Sequence, residues 1–127
     1  MALSDTEKLQ IAEAYIAASR TNDPVALAAV CSADSITWHN FDEVEVGPAQ
    51  SAKALGWIHR TVPDITWTTL ALTATSDGFV WRSLLSGTAP GGPLHCHSCI
   101  VATLNDDGKI SRIDEYLDTA QTKPLRG

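Results

Sequence analysis

Four side chains that can bind metals or take part in redox chemistry lie within five positions of the stretch GGPLHCHSCIVATL, residues 91–104. They are His95, Cys96, His97 and Cys99. Imidazoles and thiolates are the usual ligands of structural zinc, and the Cys-x-x-Cys spacing is typical of zinc knuckles and redox pairs. The stretch therefore raises three hypotheses, namely a metal centre, a redox centre or one wall of a pocket.

The strand pattern of this stretch decides among the three hypotheses. Side chains alternate between the two faces of a β-strand, so His95, His97 and Cys99 share one face while Cys96 lies on the other. The two cysteines then cannot converge on one metal ion or form a redox pair. The hypothesis that remains is a pocket wall built from His95, His97 and Cys99.

The rest of the chain predicts three helices and then a meander of antiparallel strands. Ser4 and Glu7 have the spacing of a capping box, which predicts where the first helix begins, and Pro24 suits the first turn of a second. A short strand, DSITWHNF, precedes a third helix at residues 49–62. Four long strands follow, joined by a hairpin at Asp77-Gly78, a flexible APGGP loop and a turn at NDDG. Helices and strands are segregated along the chain, which indicates an α+β fold.

Composition narrows the class of protein. The 127 residues predict a single domain, residues 1–127, and the net charge of −6 without a basic cluster argues against nucleic-acid or membrane partners. The beginning of the chain lacks the pattern of a signal peptide, and no apolar run is long enough to span a membrane. An odd number of cysteines, three, favours a reducing compartment, so we expect a cytoplasmic protein.

The order of elements, and above all the segment DGKISRIDEYLDTA near the end, resembles the nuclear-transport-factor-2-like superfamily. Within that superfamily the chain is similar to the SnoaL-like polyketide cyclases, the ketosteroid isomerases and the limonene-epoxide hydrolases. The resemblance implies a cone-shaped α+β barrel, in which three N-terminal helices lie against a strongly curved antiparallel sheet around one deep apolar cavity. It also implies a homodimer formed through the outer sheet surface, and no metal or other cofactor.

The limonene-epoxide hydrolases offer a site for comparison. Their aromatic-x-Asn motif on the first strand matches Trp38 and Asn40 in WHN, and the arginine of their Arg-x-Asp motif matches Arg82. Leu84 stands where that motif has its aspartate, and Glu115 stands where the last strand has a second one. One of the two carboxylates that such hydrolases use is therefore missing.

We accordingly predict a small set of site residues. Glu115 and His97 would share acid/base work, and Arg82 would hold a substrate oxygen or form a structural ion pair with Glu115. The predicted substrate-binding residues are Trp38, Asn40, Leu84, His95, Cys99, Ile113 and Leu117. His39 is expected at the surface or on the dimer side.

The predicted function is a cofactor-free enzyme acting on a small, apolar, oxygenated molecule, by isomerisation, cyclisation or epoxide opening. The alternative is a non-catalytic ligand-binding or assembly domain, because one fold supports many roles. A third hypothesis, zinc held by His95, His97 and Glu115, rests on ligand types alone.

Overall fold

The computed structural model describes residues 2–127, which form three helices packed against one six-stranded sheet. The helices are α1 (Asp5–Thr21), α2 (Pro24–Val30) and α3 (Pro48–Thr61). The strands are β1 (Cys31–His39), β2 (Glu45–Val46), β3 (Thr66–Ala74), β4 (Gly78–Ala89), β5 (Gly92–Leu104) and β6 (Ile110–Leu117), and a 3-10 helix, Lys123–Arg126, follows. The predicted α+β class is confirmed. Within residues 2–127, no helix is both long enough and apolar enough to cross a membrane.

Local sequence signals set where the helices begin. The Ser4 hydroxyl accepts a hydrogen bond from the Glu7 amide while the Glu7 side chain accepts one from the Ser4 amide, so the predicted capping box is present. Asp23 caps α2 through the Ala26 amide at 3.1 Å, with Pro24 as its first residue. These contacts satisfy amides that have no partner within their own helix.

The sheet is mixed and open. Its strand order is β2-β1-β6-β5-β4-β3, and β1 runs parallel to β6 while all other neighbours are antiparallel. The predicted cone-shaped α+β fold is confirmed, and the sheet departs from the expected antiparallel one only in the pairing of β1 with β6. A tight turn between two strands makes them antiparallel. No such turn joins β1 to β6, because most of the chain, including β2, α3 and the other long strands, lies between them.

Two apolar clusters hold the helices on the sheet. In one, Ala12 and Ile16 of α1 pack against strand residues that include Phe79 and Trp81. In the other, Val62 packs with residues of β4 and β5. Polar contacts add to this packing: Lys8 Nζ of α1 donates to Thr75 O, in the turn after β3, at 2.6 Å, and His59 Nε2 of α3 lies 2.9 Å from Ser19 O of α1.

The APGGP segment is a tight turn and not the flexible loop that we expected. Strand β4 continues to Ala89 and β5 begins at Gly92, which leaves only Pro90 and Gly91 between them. The Gly91 amide donates a hydrogen bond to Pro124 O at 2.8 Å. The turn thus anchors the chain that follows β6, residues 118–127, which we call the tail.

Candidate functional site

A cavity of about 880 Å³ lies between the helices and the inner face of the sheet, the face that carries Trp81 and Ile100. Members of both apolar clusters line it, among them Ile113 of β6 and Leu94 of β5. Leu55 and Ile58 of α3 also belong to its wall. The cavity is therefore apolar over most of its surface and large enough for a small organic molecule.

Glu115 is the polar centre of this cavity. Its Oε1 lies 2.9 Å from His39 Nε2, and its Oε2 accepts a 2.6 Å hydrogen bond from the Ser98 hydroxyl. The side chains of His39 and Glu115 are only 23% and 19% exposed. Each carboxylate oxygen has accepted one hydrogen bond and keeps a second lone pair. The group can therefore still take a proton from a bound molecule.

Strand pairing brings these three residues together. In the parallel pair of β1 and β6, His39 lies opposite Glu115. In the antiparallel pair of β5 and β6, Ser98 lies opposite Leu117, two residues along the same face of β6 from Glu115. Asn40 closes the end of β1 on β6, because its amide donates to Glu115 O at 3.1 Å and its Oδ1 accepts from the Leu117 amide at 2.9 Å. His39 is thus held next to Glu115 by the pairing of β1 with β6 and by the two contacts of Asn40.

The surroundings change the proton affinity of several groups in the cavity wall. The hydrogen bond to Glu115 raises the pKa of His39, an effect that burial opposes and that the charges of Glu115 and Asp42 reinforce. Burial, with a smaller effect of the Glu115 charge, raises the pKa of Tyr15, so its phenol stays protonated. Burial raises the pKa of Cys96 to about 11 and also raises that of Cys31. Both thiols are therefore poor nucleophiles near neutral pH.

Three of the predicted site residues lie in the cavity wall. Glu115, Ile113 and Leu117 alternate along β6 and point to the inner face. Their parity on the strand was predicted from the apolar neighbours of Glu115. Their roles in catalysis and substrate binding stay predictions.

Five other predicted residues lie outside the cavity, on the outer face of the sheet. They are Arg82, Leu84, His95, His97 and Cys99. Arg82 pairs across the strands with Cys99, and Leu84 with His97, so all five share one face. The inner face of β5 instead presents Leu94, Cys96, Ser98 and Ile100. The predicted position of these five side chains in the cavity is wrong, because a strand assigned to the wrong face reverses every residue on it.

The same reversal affects β1. Trp38 lies on the outer face, where its ring packs edge-on against Tyr116 at a centroid distance of 5.4 Å, and Asn40 is exposed. Neither lines the cavity, so their predicted role as cavity-wall residues is wrong. His39, expected at the surface, lines the cavity instead. His39 and Asn40 point to opposite faces of the sheet, as predicted. The prediction had the two faces exchanged, because His39 and not Asn40 points into the cavity.

The zinc hypothesis fails on geometry. His95 and His97 lie on the outer face, their rings 5.3 Å apart, whereas Glu115 lies on the inner face. A sheet separates the proposed ligands, so they cannot share one ion. The structural ion pair of Arg82 with Glu115 fails for the same reason, and His39 occupies the place expected for Arg82.

The tail supplies a part of the site that sequence analysis missed. Thr119, Thr122 and Arg126 line the cavity after β6 has ended. No periodic pattern marks these residues, because the tail is formed by turns and a single 3-10 helix. A lone arginine near the end of the sequence gives no signal of a pocket.

The chain matches known proteins in sequence and in fold. The family model of the SnoaL-like domain matches residues 12–113. No curated protein shows significant sequence similarity to the chain.

Three solved structures illustrate the likeness in fold. IdmH from Streptomyces antibioticus, a candidate polyketide cyclase, superposes with a TM-score of 0.80 at 14% identity, over 94% of this chain and 99% of IdmH. An epoxide hydrolase of the limonene-epoxide-hydrolase type from M. tuberculosis gives 0.74 at 18% identity, over 96% and 91% of the two chains. A protein from Catenulispora acidiphila with a ketosteroid isomerase-like fold gives 0.74 at 16% identity, over 87% of each chain.

Proposed function

Because this chain belongs to the SnoaL-like domain family, we propose that it is a cofactor-free enzyme performing acid/base catalysis on a small, apolar, oxygenated molecule. One observation carries the proposal, namely a carboxylate, Glu115, that is hydrogen-bonded by His39 and Ser98 within a largely apolar cavity. A base in such a place meets little competing water, and nearby charges act on it strongly. Burial and charge pairs of this kind are typical of active sites.

Each polar group has a role that follows from its contacts. Glu115 accepts a proton from the substrate through a free lone pair. His39 holds Glu115 in place. Because the Glu115 carboxylate favours the charged form of His39, the imidazole is the proton donor of the pair. Ser98 orients the other oxygen of Glu115 at 2.6 Å. Tyr15 keeps its proton and can donate a hydrogen bond to a developing oxyanion in the same cavity.

This arrangement favours an enolisation-type isomerisation or cyclisation over epoxide opening. Both favoured reactions remove a proton next to a carbonyl group and stabilise the resulting enolate oxygen. Epoxide opening of the limonene-epoxide hydrolase type uses an arginine between two carboxylates. Here Arg82 and Leu84 lie on the outer face, and Glu115 has a histidine beside it in place of an arginine.

The first prediction concerns Glu115→Gln, tested with a panel of β,γ-unsaturated ketones, 1,3-dicarbonyl compounds and epoxides. We expect the turnover of the responding compound to fall roughly 10²- to 10⁴-fold, because the amide cannot accept the proton. Initial rates for the wild type and the variant, measured side by side, give the result.

Asp114→Asn is the matched control. Asp114 precedes Glu115 on β6 but pairs with Arg112 at 3.0 Å and does not line the cavity, so the wild-type rate should be kept. Equal turnover by wild type and Glu115→Gln would contradict the role of Glu115. Saturable binding of the panel compounds without turnover by the wild type would favour the non-catalytic ligand-binding domain.

A further inference from the structure

The cavity contains one unexpected charge, the guanidinium of Arg126. Among the lining side chains of residues 2–127, Arg126 is the only arginine or lysine. Its Nη1 lies 3.4 Å from Thr122 Oγ1, and its Nη2 lies 3.4 Å from Thr119 O. Across the described part of the chain, no carboxylate lies within ion-pair distance of it. In a protein with a net charge of −6, an uncompensated cation at a cavity is notable.

Arg126 is exposed, yet the tail that carries it is firmly attached to the rest of the molecule. The Gly91 amide donates to Pro124 O at 2.8 Å, and the Gln121 side chain accepts from the His97 amide at 2.8 Å. Leu125 packs on the apolar cluster of Val62, Ala89, Leu94 and Cys96. The residues that directly precede Arg126 are therefore fixed against the rest of the molecule, which places its guanidinium at the cavity wall.

Arg126 lines the cavity and is exposed, so its charge lies at the mouth, whereas the Glu115 side chain is only 19% exposed. Glu115, Leu117 and Thr119 follow one another along the wall, and the five residues from Glu115 to Thr119 span at most about 14 Å when fully extended. Three half-exposed apolar residues lie elsewhere around the cavity, two in the connection between β1 and β2 and one on α3: Phe41 is 48%, Val44 49% and Trp57 46% exposed. A bound molecule would thus meet a base inside, apolar surface at the rim and a cation at the tail.

We propose that the cavity binds an apolar molecule that carries a carboxylate, with the carboxylate at Arg126. For the inner part of the cavity, this inference rests on the proposed function, because the reacting oxygenated centre would lie at Glu115. The planar fork of a guanidinium matches the two oxygens of a carboxylate. A single arginine, with Asp42 also in the cavity wall, suits one negative charge better than the two of a phosphate group.

The test uses dansylamino-undecanoic acid and its methyl ester, two fluorescent probes that differ in charge at one end. Fluorescence titrations give the Kd of each probe for the wild type and for Arg126→Gln and Lys123→Gln. We expect the wild type to bind the acid about three- to fivefold more tightly than the ester, as an exposed charge pair allows. Added salt should reduce that preference, because exposed charges are screened.

Lys123→Gln is the matched control, because Lys123 lies in the same 3-10 helix but not in the cavity wall. Arg126→Gln should bind the acid and the ester equally, whereas Lys123→Gln should keep the wild-type preference. Equal binding of the two probes by the wild type, no saturable binding of the acid, or an equal loss in both variants would overturn the proposal.

Glu115→Gln separates this inference from the proposed function. The variant should lose turnover but keep the preference for the acid, since Arg126 is unchanged. A preference for the acid over the ester, without turnover by the wild type or any variant, would support the carboxylate site and count against the proposed enzyme. Turnover without a preference for the acid would support the proposed enzyme and overturn the carboxylate site.

Discussion

The contact between His39 and Glu115 joins an acid and a base at 2.9 Å in a site that is only partly open to water. A histidine beside a carboxylate is held in its charged form to higher pH than a free histidine. The same contact fixes the direction in which the imidazole points, because Nε2 faces Glu115. At the scale of single residues, the cavity therefore has a proton acceptor with a proton donor already in place.

This contact makes the stability of the protein depend on pH in a defined direction. The folded-state pKa of His39 is raised above its ordinary value of about 6.5, so its stabilising effect is full below that value and is lost as pH rises through the folded-state pKa. His39→Gln keeps a neutral donor but cannot ionise. The difference in free energy of unfolding between wild type and His39→Gln should therefore shrink from about pH 6 to about pH 9.

Urea unfolding of both proteins at the two pH values measures this difference. His95→Gln, which removes an exposed histidine of the outer face, corrects for the general effect of losing an imidazole. A difference that stays constant or grows with pH would contradict the assigned direction of the His39 pKa.

At the same scale, the sequence predicted the position of one polar residue in the cavity correctly and the direction of others wrongly. Glu115 was identified because a carboxylate between Ile113 and Leu117 stands out on an apolar strand face. On β5 both faces carry polar residues, and the resemblance to the limonene-epoxide hydrolases placed His97 and Cys99 in the cavity wall. The decisive signal was Leu94 and Ile100, the apolar residues that share the buried face with Ser98.

At the scale of elements, the signals that correctly predicted boundaries were local, whereas the strand pairing that was missed is not. The capping box of α1 and the hairpin at Asp77-Gly78 depend on a few adjacent residues, and both are present. The parallel pairing of β1 with β6 depends on residues far apart in the chain. Without that pairing, no sequence pattern places His39 beside Glu115.

The attachment of the tail gives a prediction at this scale. Gly91 has no positive φ, but a Cβ at this position would lie 2.8 Å from Pro124 O. Gly91→Ala should therefore loosen the tail and lower the free energy of unfolding by about 1 to 2 kcal/mol. Hydrogen exchange at the Leu125 amide, which donates to Thr122 O at 3.0 Å, reports the loosening directly.

Gly47→Ala is the control for this experiment, because nothing lies within 4 Å of a Cβ added there. It should leave exchange at Leu125 unchanged. Slow exchange at Leu125 in Gly91→Ala would mean that the contact with the turn does not hold the tail.

At the scale of the whole molecule, the family resemblance is confirmed and the homodimer stays a prediction. The family predicts association through the outer face of the sheet, where Tyr116 is 45% exposed and packs on Trp38. We expect sedimentation equilibrium to give twice the 13.6 kDa of one chain. Tyr116→Glu should shift the mass towards one chain, because it places a charge in an apolar contact.

Glu13→Gln, on an exposed position of α1, is the control and should leave the mass unchanged. A wild-type mass of one chain at all concentrations would contradict the dimer. A dimer that withstands Tyr116→Glu would place the interface elsewhere.

The parallel pairing of β1 with β6 also has a consequence for how the protein is made. His39, at the end of β1, leaves the ribosome early, whereas Glu115 lies on the last strand. The pair therefore cannot form until almost the whole described chain has been synthesised. Contacts between such distant segments are slow to form, since a long loop must close first. The proposed activity should therefore appear late in folding, after the helices and hairpins, and an activity assay on refolding protein would time the final step.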